Sequence, residues 1–96
     1  MTVYFGVNKV KAGKRDEYIA ELKKNNLEEI FRKQPKNVYY YMMKSISDDD
    51  LLICIDAWED RDGFDGHCNS EEVKTTWTEL YGKYVEESIV DSIYEV

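Results

Sequence analysis

Ninety-six residues carry 13 Lys and Arg against 20 Asp and Glu, a formal charge of −7, with 43% apolar and 34% charged side chains. That size predicts one domain, residues 1–96, burying about 60 to 68% of its unfolded surface. The acidic balance, with no continuous basic patch, argues against nucleic acid as a partner. The longest apolar run, Leu51 to Trp58, is interrupted by Asp56 and is far too short to cross a membrane.

Met1-Thr2-Val3-Tyr4 leads straight into a strand pattern and not into a secretory signal, so a cytoplasmic setting is expected. Cys54 and Cys68 lack metal-site spacing and are expected to remain reduced thiols. The first strand runs from Thr2 to Val10, rich in β-branched and aromatic residues. Alternation puts Val3, Phe5 and Val7 on one face and Tyr4, Gly6 and Asn8 on the other, and both faces are apolar enough to call for cover. Lys11-Ala12-Gly13-Lys14 forms the next loop.

Arg15 to Lys33 reads as a helix with Ile19, Leu22, Asn26 and Ile30 in one stripe, widened by Tyr18, Leu27 and Phe31. An amide at Asn26, inside that stripe, must either bond nearby backbone or face a wet cavity, because an unpaired buried amide costs about 1–3 kcal/mol. Pro35 stops the helix. A hairpin follows, with strands Val38 to Ile46 and Leu51 to Trp58 joined by Ser47-Asp48-Asp49-Asp50, a solvated turn without the cage geometry of a calcium loop. Tyr39, Tyr40 and Tyr41 place aromatic rings on both faces of the first of these strands, fit for an interface or a cavity.

After Trp58 the apolar period changes from near 2 to near 3.6. Asp60 can cap a short helix carrying Phe64, His67 and Cys68 on one face, made marginal by Gly63 and Gly66. Ser70 offers a second cap, with Glu71 and Glu72 in the first turn and Val73, Trp77, Leu80, Tyr81 and Tyr84 along an amphipathic stripe. Glu87 to Val96 is the last strand. The order β-α-β-β-α-α-β predicts an α+β fold of ferredoxin-like split β-α-β type, a four-stranded antiparallel sheet with helices on one face. The uncovered face predicts a homodimer.

His67 is the sole imidazole, and its ordinary pKa near neutrality suits a general base. It also fits a helix histidine bonded to a backbone carbonyl. Asn8 reads either as a cavity group or as a strand-end residue, while Trp77 and Tyr81 read as core first and cavity wall second. Trp58 reads as a packing anchor.

Val10-Lys11-Ala12-Gly13-Lys14-Arg15-Asp16-Glu17-Tyr18 is similar to a strand, V-K-x-G-K turn and first helix, and Trp58-Glu59 through Phe64, His67 and Ser70 to a W…F-x-x-H-x-x-S stretch. Both belong to the antibiotic biosynthesis monooxygenase family of the dimeric α+β barrel superfamily, which the chain resembles over nearly its whole length. The resemblance implies oxygenation of an aromatic, quinol-like or polyketide-like small molecule by dioxygen, with no flavin, haem or metal. Such chemistry needs a base, donors for an oxyanion and apolar walls. The resemblance gives His67 and Asn8 the catalytic roles, and Asn26, Trp77, Tyr81 and Phe64 substrate contacts. Family members often continue S-P-H-F, whereas this chain has Ser70-Glu71-Glu72-Val73, so a second imidazole is missing. Haem-degrading relatives share an asparagine like Asn8, but their axial histidine has no counterpart where Trp77 stands. A non-catalytic dimeric ligand-binding module and an isomerase of the same superfamily remain alternatives.

Overall fold

The computed structural model describes every residue, Met1–Val96. Strand β1 is Thr2–Val10, followed by α1 (Arg15–Lys24), α2 (Leu27–Arg32), β2 (Asn37–Lys44), β3 (Leu51–Trp58), α3 (Arg61–Cys68), a π-helical turn (Val73–Trp77), α4 (Thr78–Tyr84) and β4 (Val85–Glu95). The four strands form one antiparallel sheet in the order β2-β3-β1-β4. This is the expected α+β, ferredoxin-like arrangement.

One expectation fails in the first helical region. The single helix from Arg15 to Lys33 is two, because Asn26 takes a left-handed conformation at φ 57° and starts α2. Asparagine tolerates that conformation better than other non-glycine residues. Asn25 Nδ2 and its backbone N–H both donate to the Glu21 carbonyl, closing α1 just before the break. The kink rotates Leu27 and Phe31 onto the sheet and leaves Asn26 exposed.

Alternation sorts the strands as the period predicts. Opposite Tyr4 stand Asp56 and Ile93, and opposite Gly6 stand Cys54 and Asp91, so these side chains share the face under the helices. Toward one end of that face Val10, Tyr18, Leu22, Leu27, Phe31, Tyr40, Leu52 and Tyr84 form the buried apolar cluster. Tyr18 and Tyr84 stack at 5.1 Å, and Tyr84 Oη donates to Glu17 Oε2 at 2.7 Å. Arg15 Nη1 ties the hairpin to α1 by donating to the carbonyls of Ser45, Asp48 and Leu51.

The other face carries Val3, Phe5 and Val7, all half-buried, with Tyr41 53%, Met43 43% and Tyr94 52% exposed. Tyr39 and Tyr41 stack there at 5.7 Å while Tyr40 turns into the core. No helix is long and apolar enough to cross a membrane.

Candidate functional site

Beyond the apolar cluster, the helices and the sheet part to leave a cavity of about 370 Å³, in the range of small-molecule sites. Its floor is the inward row of the sheet, Tyr4, Asn8, Tyr40, Cys54, Asp56, Asp91 and Ile93; its roof is Phe64, His67 and Cys68 from α3 with Val73, Trp77 and Tyr81 from the helical segment after it. Asp60 fixes the start of the roof: its Oδ1 accepts from the Gly63 N–H at 3.1 Å, and its Oδ2 accepts from Lys36 Nζ at 2.8 Å. Ser70 Oγ donates to the His67 carbonyl at 2.6 Å, holding the end of α3. In the next segment the Thr78 hydroxyl donates to the Val73 carbonyl at 2.6 Å, five residues back. That competition with the regular helical ladder accompanies the π turn.

His67 stacks on Trp58 at 4.8 Å and meets the edge of Phe31 at 4.6 Å. Its Nδ1 lies 2.7 Å from Gln34 Oε1; with that oxygen as the acceptor, the tautomer that satisfies the pair carries its proton on Nδ1 and its lone pair on Nε2, for which the protein supplies no partner. Burial lowers the imidazole pKa to about 4, leaving the ring neutral at ordinary pH. Trp58 Nε1 donates to Asp56 Oδ2 at 2.7 Å. Burial pushes the Asp56 carboxyl up to about 6 despite that hydrogen bond, which pulls the other way. Asn8 is buried and its Oδ1 accepts from Tyr81 Oη at 3.3 Å, so its Nδ2 donors stay free of protein partners. Burial first, and Asp91 second, raise the Tyr4 hydroxyl pKa, and Cys54 is pushed up to about 12 by burial, so it stays a thiol.

Five residues singled out from sequence therefore meet around one cavity: His67, Asn8, Phe64, Trp77 and Tyr81. Asn26 does not. It lies at the exposed junction of α1 and α2, where the left-handed turn satisfies the backbone that the stripe argument had assigned to a continuous helix. Sequence reasoning missed Asp56, Tyr4 and Gln34. Asp56 left a signal, as the one charge inside a buried strand at an inward-facing position; Gln34, in the break after α2, left none. Alternation placed Gly6 on this face without giving it a role, yet a Cβ there would come within 2.7 Å of Tyr4 Oη, so its bare backbone lets that ring lie across the floor. No group of three or more His, Cys, Asp or Glu side chains is placed to hold a metal ion.

Residues 1–79 match the family model described as antibiotic biosynthesis monooxygenase. The chain belongs to this family. The match takes in β1 to β3, α3 and the π turn, and stops before Tyr81 and Asp91. No curated protein matches the chain. Among solved structures, one from Nitrosomonas europaea, provisionally described as an antibiotic biosynthesis monooxygenase, shares 20% identity with a TM-score of 0.87, covering 100% of this chain and 98% of that one. A second, described as an antibiotic biosynthesis monooxygenase, gives 18% identity, a TM-score of 0.83 and the coverages 100% and 98%. A conserved protein from Methanosarcina mazei gives 21%, 0.82, and coverages of 98% and 90%. At these identities the likeness establishes a shared fold and leaves the chemistry to the site.

Proposed function

We propose that the protein is a cofactor-independent monooxygenase acting on an aromatic, quinol-like or polyketide-like small molecule. The observation that carries this reading is the meeting of His67, Asn8, Trp77, Tyr81 and Phe64 around one cavity of ligand size in a chain of this family. For a hydroquinone, reaction with O2 gives a hydroxyquinone and one water, the substrate supplying all four electrons. The neutral His67 takes the phenolic proton at Nε2 as the ring is oxidised, and that proton leaves with the water. Asn8 Nδ2 donates to the oxyanion, and the aromatic walls keep bulk water from the activated ring.

The same reading takes the working form to be a homodimer of the dimeric α+β barrel type in the cytoplasm. Support comes from the row of exposed Tyr41, Met43 and Tyr94 beside half-buried Val3, Phe5 and Val7, an apolar sheet face that a second copy would cover. A solution mass of two chains at micromolar concentration is expected, and a mass of one chain refutes it.

Oxygen uptake with a panel of hydroquinones tests the chemistry. Uptake above autoxidation is expected, falling about 100-fold in His67→Ala. Uptake at the autoxidation rate, or unchanged by the substitution, overturns the reading. The weak basicity of His67 favours a second reading, a module that sequesters an aromatic ligand; it predicts thermal stabilisation by ligand without oxygen consumption. An isomerase would form product, also without consuming oxygen.

A further inference from the structure

The cavity holds a charge that neither the fold nor the proposed oxygenation requires. Asp56 is only 2% exposed, and it lines the cavity floor. One of its oxygens, Oδ2, accepts the Trp58 indole N–H at 2.7 Å, which fixes the rotamer; the other, Oδ1, accepts nothing from the protein. A second carboxylate, Asp91, stands on the same face one row further along, and no Lys or Arg side chain lines the cavity. A buried carboxylate with an idle oxygen is costly in the empty site and gains most from a ligand O–H or N–H brought to it. A ligand carrying its own anionic group meets two carboxylates and no counter-charge.

We propose that Asp56 is the specificity-determining acceptor of this cavity, and that the ligand is an aromatic bearing O–H or N–H donors and no carboxylate, sulfonate or phosphate group. The inference rests on the proposed substrate-binding role of the cavity, and it narrows the substrate class within it. Asp56 Oδ1 and His67 Nε2 are then two acceptors without protein partners on one cavity, suited to a ring with two hydroxyl or amino donors. Burial raises the carboxyl pKa only to about 6, so the group still carries its charge at neutral pH and can accept from a ligand.

The test is anaerobic calorimetric titration at neutral pH with three probes: a naphthohydroquinone, its dimethyl ether, and its ring carboxylate. The hydroquinone is expected to bind about tenfold or more tightly than either of the others, the scale of one hydrogen bond to a charged group. Asp56→Asn, which presents an amide in place of the carboxylate, is expected to lose that preference and to bind the ring carboxylate better than the parent protein does. Equal binding of hydroquinone and ether by the parent overturns the proposal, as does tightest binding of the carboxylate, or no binding of any probe at millimolar concentration. A folded Asp56→Asn with unchanged preferences overturns it as well. Should that variant not fold, the three probes on the parent protein still decide. Because no oxygen is present, the outcome separates from the monooxygenase reading: the expected preference without later oxygen uptake leaves Asp56 as the selector of a binding module, and uptake without preference leaves the oxygenase and removes the selector.

Discussion

At one end of the helix-covered sheet face, Val10, Leu22, Leu27 and Leu52 pack with Tyr18 and Tyr84 into a cluster with every member nearly inaccessible. At the other end, under α3 and the π turn, Asn8, Asp56 and His67 are brought in beside aromatic rings and a hollow of about 370 Å³ remains. Phe31 and Tyr40 separate the two ends, touching the apolar cluster on one side and the His67 ring on the other. The difference shows how a chain of this size divides its labour: the filled end supplies the stability that lets the hollow end carry unpaired polar groups.

The largest expected effect lies at the filled end. Leu22→Ala removes a fully buried side chain from a site closed on all sides and should cost about 2–5 kcal/mol in urea unfolding. Val73→Ala, at the half-buried rim of the hollow, should cost about 1 kcal/mol or less, since the space it vacates joins one that already exists. Equal costs would erase the distinction between the two ends.

Gly6→Ala probes the hollow from the opposite direction. The new Cβ would sit 2.7 Å from Tyr4 Oη and 3.0 Å from Cε1 and Cζ, so the ring must tilt off the floor into the cavity. A cost of about 1 kcal/mol is expected, at the low end for overpacking because the ring can yield. Ligand affinity measured by calorimetry should fall more than stability measured by thermal melting. A fall in stability alone would place Tyr4 in the core.

The next effect concerns pH, and it isolates the hollow because its two buried groups shift in opposite directions. His67 is lowered from 6.5 to about 4, so its contribution is present above pH 6.5 and is lost as pH falls through 4. Asp56 is raised from 3.8 to about 6, so its contribution is present below pH 3.8 and is lost as pH rises through 6. Between about pH 4 and 6 the two slopes oppose each other, and the urea midpoint of the parent should be nearly flat in this window as far as these groups set it. Asp56→Asn leaves the histidine slope, with stability falling on acidification. His67→Gln leaves the carboxyl slope, with stability rising. Two variants sloping the same way would show that these groups do not control the window.

How far all this was legible in the sequence follows from which interactions are periodic. The strands, the hairpin, Asp60 as a cap and the stripe through Val73, Trp77 and Tyr81 follow from alternation and helical spacing, so the fold and most of the cavity wall could be read directly. Asn26 could not, because a left-handed residue in mid-pattern leaves the apolar spacing of Leu22, Leu27 and Phe31 intact while turning the amide outward. Asp56 was visible as an interruption and was treated only as one, since nothing in sequence says that Trp58, two residues on, donates to it. Gln34 was beyond reach: its contact with His67 spans 33 residues and arises from the docking of α3 against the end of α2.

That last contact yields the smallest expected energy and the most specific readout. Gln34→Leu removes the acceptor from the His67 Nδ1–H and should cost about 1 kcal/mol of stability, the net worth of one hydrogen bond. With a single histidine in the chain, one nitrogen-15 resonance pair reports the tautomer without ambiguity. The parent should show the proton on Nδ1 and the lone pair on Nε2. In Gln34→Leu the preference should relax toward a mixture, with kcat lowered several-fold and KM nearly unchanged, because the ring stays clamped by Trp58 and Phe31 while its acceptor nitrogen is no longer fixed. Gln34→Glu should keep the Nδ1–H tautomer and raise the imidazole pKa from its value near 4, since a carboxylate beside the ring favours its charged form. A parent protein with its proton on Nε2 would instead put an N–H donor where the proposed reaction needs a base, and His67 would then serve the hollow as a wall.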